Sequence, residues 1–243
     1  MRKCLVLIFP CLMAAGLSFS QNEKPSAACR HVTTSDGVKL YFEVRGKGTP
    51  CLYLHGGPGS GSYWLEKFSG DMLEKYFQMI YLDQRGVARS GSPKDGNYSM
   101  DRMVQDFEEI RAALGIRKWV ILGHSFGGIL QVGYAERHPQ VIKGMIMLNC
   151  SLDLNATLQE TLPHACELLN MSDAEPCTNS KMPLLDRVQV VYGKLREKDL
   201  FWKMAYASRQ SSDMLENPQR RSAEHAAGCR FQEQPASALL NYC

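Results

Sequence analysis

The sequence predicts an α/β fold: a mostly parallel sheet with helices on both faces, carrying a helical cap. Three observations point there. Strand-like apolar runs alternate with amphipathic stretches through the first 150 residues. Glycine-rich turns directly follow two of those runs. After Cys150 the strand signal nearly stops, and polar helical stretches take over. A parallel crossover needs a connection of helix length, so alternating strand and helix periodicity implies a parallel sheet covered on both sides.

The elements follow in order. Val32–Thr34 and Val38–Val44 flank Asp36-Gly37, a hairpin signal, and give two leading antiparallel strands. Cys51–His55 is the next strand. Ser62–Phe77 reads as a helix, with Trp64, Leu65, Phe68, Met72, Leu73 and Phe77 near helical spacing. Met79–Asp83 is a strand, and Ser99–Leu114 a helix with Met100, Met103, Val104, Phe107, Ile110 and Leu114 on one face. A strand at Trp119–Leu122, a helix at Phe126–Arg137 and a strand at Met145–Leu148 complete six strands. Beyond that, only Val188–Tyr192 carries a strand signal.

The chain has 243 residues, 44% hydrophobic and 22% charged, which excludes a disordered, collagen-like or coiled-coil protein. Its formal charge is +3, and two of those charges are Arg2 and Lys3. So even a balance argues against a nucleic-acid-binding surface. Met1-Arg2-Lys3, the apolar run Cys4–Phe19 and the small residues Ser18 and Ser20 before Gln21 form the three-part pattern of a secretory signal peptide. The alternative is an N-terminal anchor, but the apolar run is short for a span, and Pro10 and the small-residue end favour cleavage. The expected organisation is a signal peptide at 1–20, a core at 21–150 and a cap region at 151–243. The mature protein is expected to be secreted or periplasmic, with no membrane span once the signal is removed.

Cleavage would leave seven of the nine cysteines. Cys51 and Cys150 fall in apolar runs and are expected as buried thiols. Cys166 and Cys177 are the best disulfide candidates. No Cys/His spacing suggests a metal, and no cofactor is called for.

The strongest chemical signal is Gly123-His124-Ser125-Phe126-Gly127-Gly128, between a strand and a helix. A G-x-S-x-G arises by chance in roughly one chain of this size in ten, with each residue at ~7%, so the strand–turn–helix context carries the weight. It marks Ser125 as a nucleophile lifted clear of the sheet on a sharp turn. The competing reading is a glycine-rich turn that packs helix on strand. His55-Gly56-Gly57-Pro58-Gly59 lies after an earlier strand, where glycines let a backbone N–H approach a ligand. In the elbow arrangement the oxyanion donors are the amides of Phe126 and Gly57. A phosphate loop is disfavoured, since the Lys-Ser/Thr pair and the G-x-G-x-x-G spacing are both missing. Asp83-Gln84-Arg85-Gly86-Val87-Ala88-Arg89-Ser90 reads as a polar loop, with Asp83 and Arg85 bracing the site.

HGGPG, DQRGxxxS and GHSFGG, in that order, resemble the proline iminopeptidase (prolyl aminopeptidase) group of α/β-hydrolases over roughly residues 30–150. The resemblance implies the α/β-hydrolase fold and serine-dependent release of an N-terminal residue, often proline, from a small peptide. An esterase acting on small esters is the alternative. The resemblance also implies acidic cap residues that hold the substrate amine, and Glu160, Glu167, Glu197, Glu216 and Glu224 are the candidates. The family elbow often carries Trp after the serine, where Phe126 stands. The order Ser, acid, His requires two later strands, each followed by a triad member. Downstream of Ser125 there are only His138, His164 and His225, and none follows a strand signal of that kind. The expectation is therefore a shortened hydrolase with about six of eight strands and its base missing, a non-catalytic remnant being one outcome. An unusual base in the cap, His225, is the other. A shortened sheet would leave the strand near Val141 as an open apolar edge. Oligomeric state is not legible.

Overall fold

A computed structural model describes residues 28–57 and 59–216. The signal segment, Pro58, Glu224, His225, Cys229 and Cys243 lie outside the described residues. In chain order the elements are β1 (Ala28–Thr33), β2 (Lys39–Arg45), β3 (Thr49–Leu54), α1 (Tyr63–Leu73), β4 (Phe77–Asp83), α2 (Met100–Ala113), β5 (Trp119–His124) and α3 (Gly127–Arg137). A 3-10 turn at Pro139–Val141 leads to β6 (Ile142–Leu148), and then come α4 (Leu154–Leu168), α5 (Leu184–Glu197), α6 (Trp202–Ala205) and α7 (Arg209–Glu216).

The strands form one six-stranded sheet in the order β1-β2-β4-β3-β5-β6. β1–β2 and β2–β4 are antiparallel, and β4–β3, β3–β5 and β5–β6 are parallel. The mixed, mostly parallel sheet expected from the alternation is therefore present. Strand parity splits the core in two, because successive side chains point to opposite faces. Leu52, Leu54, Ile80, Leu82, Trp119 and Ile121 pack under α2 and α3 with Phe107, Leu130 and Tyr134. Cys51, Tyr53, Met79, Tyr81 and Leu122 face the other way, against Leu65 and Leu73 of α1. Central strands covered on both faces read as continuous apolar runs, which is why β3 and β4 are so legible.

Four local expectations change. Phe77 leaves α1, which stops at Leu73, and opens β4 instead. Its apolar spacing fits a helix, but Thr49 pairs with it in the parallel β3–β4 register. The helix begins at Gly127 rather than Phe126, which serves as its N-cap. Val188–Tyr192 is helical, inside α5, where Val188, Val191 and Leu195 form one buried stripe. A short apolar run does not distinguish strand from helix by itself. Cys150 is half-buried rather than buried, because β6 ends at Leu148 and the chain has already left the sheet.

After residue 150 the described chain is helical. Leu162, Ala165, Cys166 and Leu169 pack on Val188, Val191 and Leu195, forming a small core of their own. The Cys166–Cys177 disulfide, expected from the sequence, ties the last turn of α4 to the loop that follows it. Among the described residues no helix is long and apolar enough to cross a membrane.

Candidate active site

Ser125 sits at the end of β5 with φ +52°, a left-handed backbone that non-glycine residues rarely adopt. The surrounding chain over-determines it. Its N–H donates to the Asn149 carbonyl at 3.1 Å, and its own carbonyl accepts from Gly128 N at 2.9 Å and Ser151 N at 3.0 Å. The serine is thus held by the start of α3 on one side and by the segment leaving β6 on the other. Gly127 makes the approach possible, because a Cβ there would overlap the Leu54 carbonyl. The N-terminus of α3 stands behind the serine and turns the positive end of the helix dipole toward it. Phe126, the residue whose amide the sequence assigns to the oxyanion, is buried at that N-cap.

The loop after β3 approaches the same point. A Cβ on Gly56 would stand 2.8 Å from Ser125 Cβ, so the loop backbone lies directly against the serine. Gly57 has φ +116°, open to glycine alone. Both ends of this loop are fastened to the end of β4. At its start His55, fully buried, accepts from Gln84 N through Nε2 at 3.1 Å, and Gln84 Nε2 donates to the His55 carbonyl at 3.1 Å. At its far end Ser62 donates to the Asp83 carboxylate from both N and Oγ at 2.8 Å. Arg89 donates to the same carboxylate at 2.6 Å. Burial alone would raise the Asp83 carboxyl, but Arg89 outweighs it and holds the group below the ordinary value, ionised.

Arg85 is buried beside this loop and is bidentate to Asp106 of α2, at 2.7 Å for both bonds, and also donates to Asp36 in the β1–β2 turn at 2.8 Å. Asp83 thus braces the loop beside Ser125 through charge-assisted bonds, whereas those of Arg85 tie the β1–β2 turn to α2. Farther along, Glu66 of α1 lies among Glu43, Asp83, Arg45 and Arg89, with one oxygen 2.6 Å from Arg45 and the other buried without a hydrogen bond, 4.0 Å from Arg89. Burial, reinforced by Glu43, pushes its carboxyl up to about 7.

Among the described residues no side chain is hydrogen-bonded to the Ser125 hydroxyl. His138 caps the far end of α3, with Nδ1 3.9 Å from Glu108. At 1.5 Å per residue, the twelve residues from Phe126 place it about 18 Å from the elbow. His164 is exposed on α4, 3.5 Å from Glu167. His55 has both ring nitrogens engaged. Of the glutamates considered for the substrate amine, Glu160, Glu167 and Glu197 are exposed on helix faces. Among the described residues no His/Cys/Asp/Glu cluster is arranged to hold a metal.

The sequence did not point to the clamp from Asn149 and Ser151, nor to the His55–Gln84 pair. Both depend on which strand ends lie side by side. The parallel pairing of Tyr53 with Tyr81 is the feature that brings His55 next to the end of β4.

Comparison with known proteins agrees with this geometry. A family model described as alpha/beta hydrolase fold matches residues 49–169. The proline iminopeptidase of Neisseria gonorrhoeae is 35% identical over 121 residues, 48% of this chain and 38% of that protein. The proline iminopeptidase of Saccharolobus solfataricus is 33% identical over 129 residues, 51% of this chain and 41% of that protein. The matched segment is thus about two fifths of the length of these relatives. The proline iminopeptidase-related protein of Thermus thermophilus superposes with a TM-score of 0.66 at 24% identity, over 89% of this chain and 72% of that one, a likeness of fold. The strand order, the elbow and these matches together make the chain a proline iminopeptidase-like α/β hydrolase.

Proposed function

We propose that Ser125 is the nucleophile of a serine hydrolase that releases an N-terminal residue, proline favoured, from small peptides. The observation that carries this reading is the left-handed Ser125 held between the N-terminus of α3 and the Gly56–Gly57 backbone. The hydroxyl oxygen attacks the carbonyl carbon, and the amides of Gly57 and Phe126 receive the developing oxyanion. The tetrahedral intermediate then expels the amine to leave an acyl-enzyme, which water hydrolyses. Names of the relatives support the substrate class. Attack also needs a proton acceptor. The described histidines make no contact with the Ser125 hydroxyl, so His225 is the one to test. The amino-terminal pattern supports export by a cleaved signal peptide.

The test is labelling of the purified chain with a fluorophosphonate, read by intact mass, with Ser125→Ala and His225→Ala alongside. Stoichiometric labelling is expected, abolished by Ser125→Ala. Labelling that survives in Ser125→Ala overturns the assignment of the nucleophile. No labelling of folded wild-type protein overturns the hydrolase reading for this chain. Turnover of prolyl p-nitroanilide against p-nitrophenyl acetate then separates a peptidase from an esterase.

A further inference from the structure

His55 is fully buried at the mouth of the loop beside Ser125, and the mechanism above gives it no part. A backbone N–H can only donate, so the Gln84 amide at 3.1 Å requires a lone pair on Nε2. The neutral ring then carries its hydrogen on Nδ1, which lies 2.9 Å from the Gly56 carbonyl oxygen and donates to it. These two partners assign the tautomer. Burial lowers the proton affinity of the ring, which favours the same neutral form.

The Gly56 carbonyl and the Gly57 N–H belong to one peptide unit. In a trans peptide they point in opposite directions, and rotating one rotates the other. Both flanking residues are glycines, and Gly57 stands at φ +116° with no side chain to restrict the plane. Such a peptide turns easily unless one of its ends is held, and here the carbonyl end is held by the His55 imidazole at 2.9 Å, with the Ser60 N–H farther off at 3.3 Å.

We infer that His55 is a positioning residue: by donating from Nδ1 to the Gly56 carbonyl it fixes the Gly56–Gly57 peptide plane and aims the Gly57 N–H at the oxyanion. The inference deepens the reading of Gly57 as an oxyanion donor and rests on it. A histidine that merely fills space would be tolerant of which ring nitrogen is replaced. A positioning histidine is not.

Two amide substitutions separate the ring's functions. In His55→Asn the side-chain NH2 stands near Nδ1 and keeps the donor to Gly56, while in His55→Gln the side-chain oxygen stands near Nε2 and keeps the acceptor for Gln84. The first readout is the residual dipolar coupling of the Gly57 N–H, compared with those of amides in β3 and β4. The expected result is a coupling preserved in His55→Asn and changed in His55→Gln. The second is the fluorophosphonate labelling rate. It should stay within a few-fold of wild type in His55→Asn and fall roughly 100-fold in His55→Gln, the scale on which losing one oxyanion donor acts. Equal couplings and equal rates in the two variants overturn the inference. Imidazole nitrogen shifts of the wild-type chain need no variant, and a proton on Nε2 rather than Nδ1 also overturns it. If wild-type protein does not label, the hydrolase reading fails, while the couplings and the nitrogen shifts still decide whether His55 sets the peptide plane.

Discussion

The two edges of the sheet are built on different chemistry. β1 exposes Arg30, His31 and Thr33, and a charged, polar edge repels a foreign strand. β6, at the other edge, exposes Ile146, Met147 and Leu148, with Leu152 exposed just beyond. Among the described residues it pairs with β5 alone. Among the described residues the strand expected near Val141 therefore stands as an open apolar edge, starting at Ile142. It is also the edge that meets the elbow, since Leu148 and Asn149, at its end, supply carbonyls to the Ser125 amide. The polar edge guards the hairpin, and the apolar edge supports the elbow.

The largest expected effect tests the polar side. Arg85→Ala removes the bidentate partner of buried Asp106, leaving it Arg102 at 2.9 Å, and takes the Arg85 bond from Asp36 in the β1–β2 turn. A loss of about 3–5 kcal/mol in urea unfolding is expected, the range for breaking a buried ion pair. Amide exchange should accelerate in β1 and β2 before it does in β5 and β6. Uniform acceleration across the sheet would erase the distinction between the two edges.

Glu66→Gln probes the carboxylate cluster beside β2. The Glu66 carboxyl holds its proton up to about 7, so the folded state binds that proton more tightly than the unfolded chain does. Its contribution is fully present below about pH 4.5 and is lost as pH rises through 7. The Gln variant escapes that loss. Relative to wild type it should gain up to about 3 kcal/mol between pH 5 and pH 8, read from unfolding at the two values. A gain independent of pH would mean that the carboxyl ionises normally.

Met147→Lys copies the chemistry of β1 onto β6. The side chain is 51% exposed, so the folding free energy should change by no more than about 0.5 kcal/mol. Concentration-dependent self-association in sedimentation velocity should fall, as a lysine at a strand edge opposes pairing. Unchanged association would show that the β6 edge is already protected.

Much of the sheet was legible because burial on both faces leaves its mark in the sequence. The runs at Cys51–His55 and Met79–Asp83 are apolar at almost every step, and their parity gives the two core faces. The elbow was legible for a different reason: its glycines answer a local steric demand, seen where Gly127 meets the Leu54 carbonyl. The fastening of the loop was not, because His55 and Gln84 are 29 residues apart and meet only through strand order. Val188–Tyr192 misled since a five-residue run holds too little periodicity, whereas Val188, Val191 and Leu195 together mark the helix.

The short link Asn149–Asp153 joins the sheet to α4, and Ser125 is hydrogen-bonded to it twice, once through its amide and once through its carbonyl. The serine peptide is therefore the fulcrum on which the helical segment leans. A tilt of α4 and α5, joined by their shared apolar seam, would reach the Ser125 backbone through those two bonds as torque.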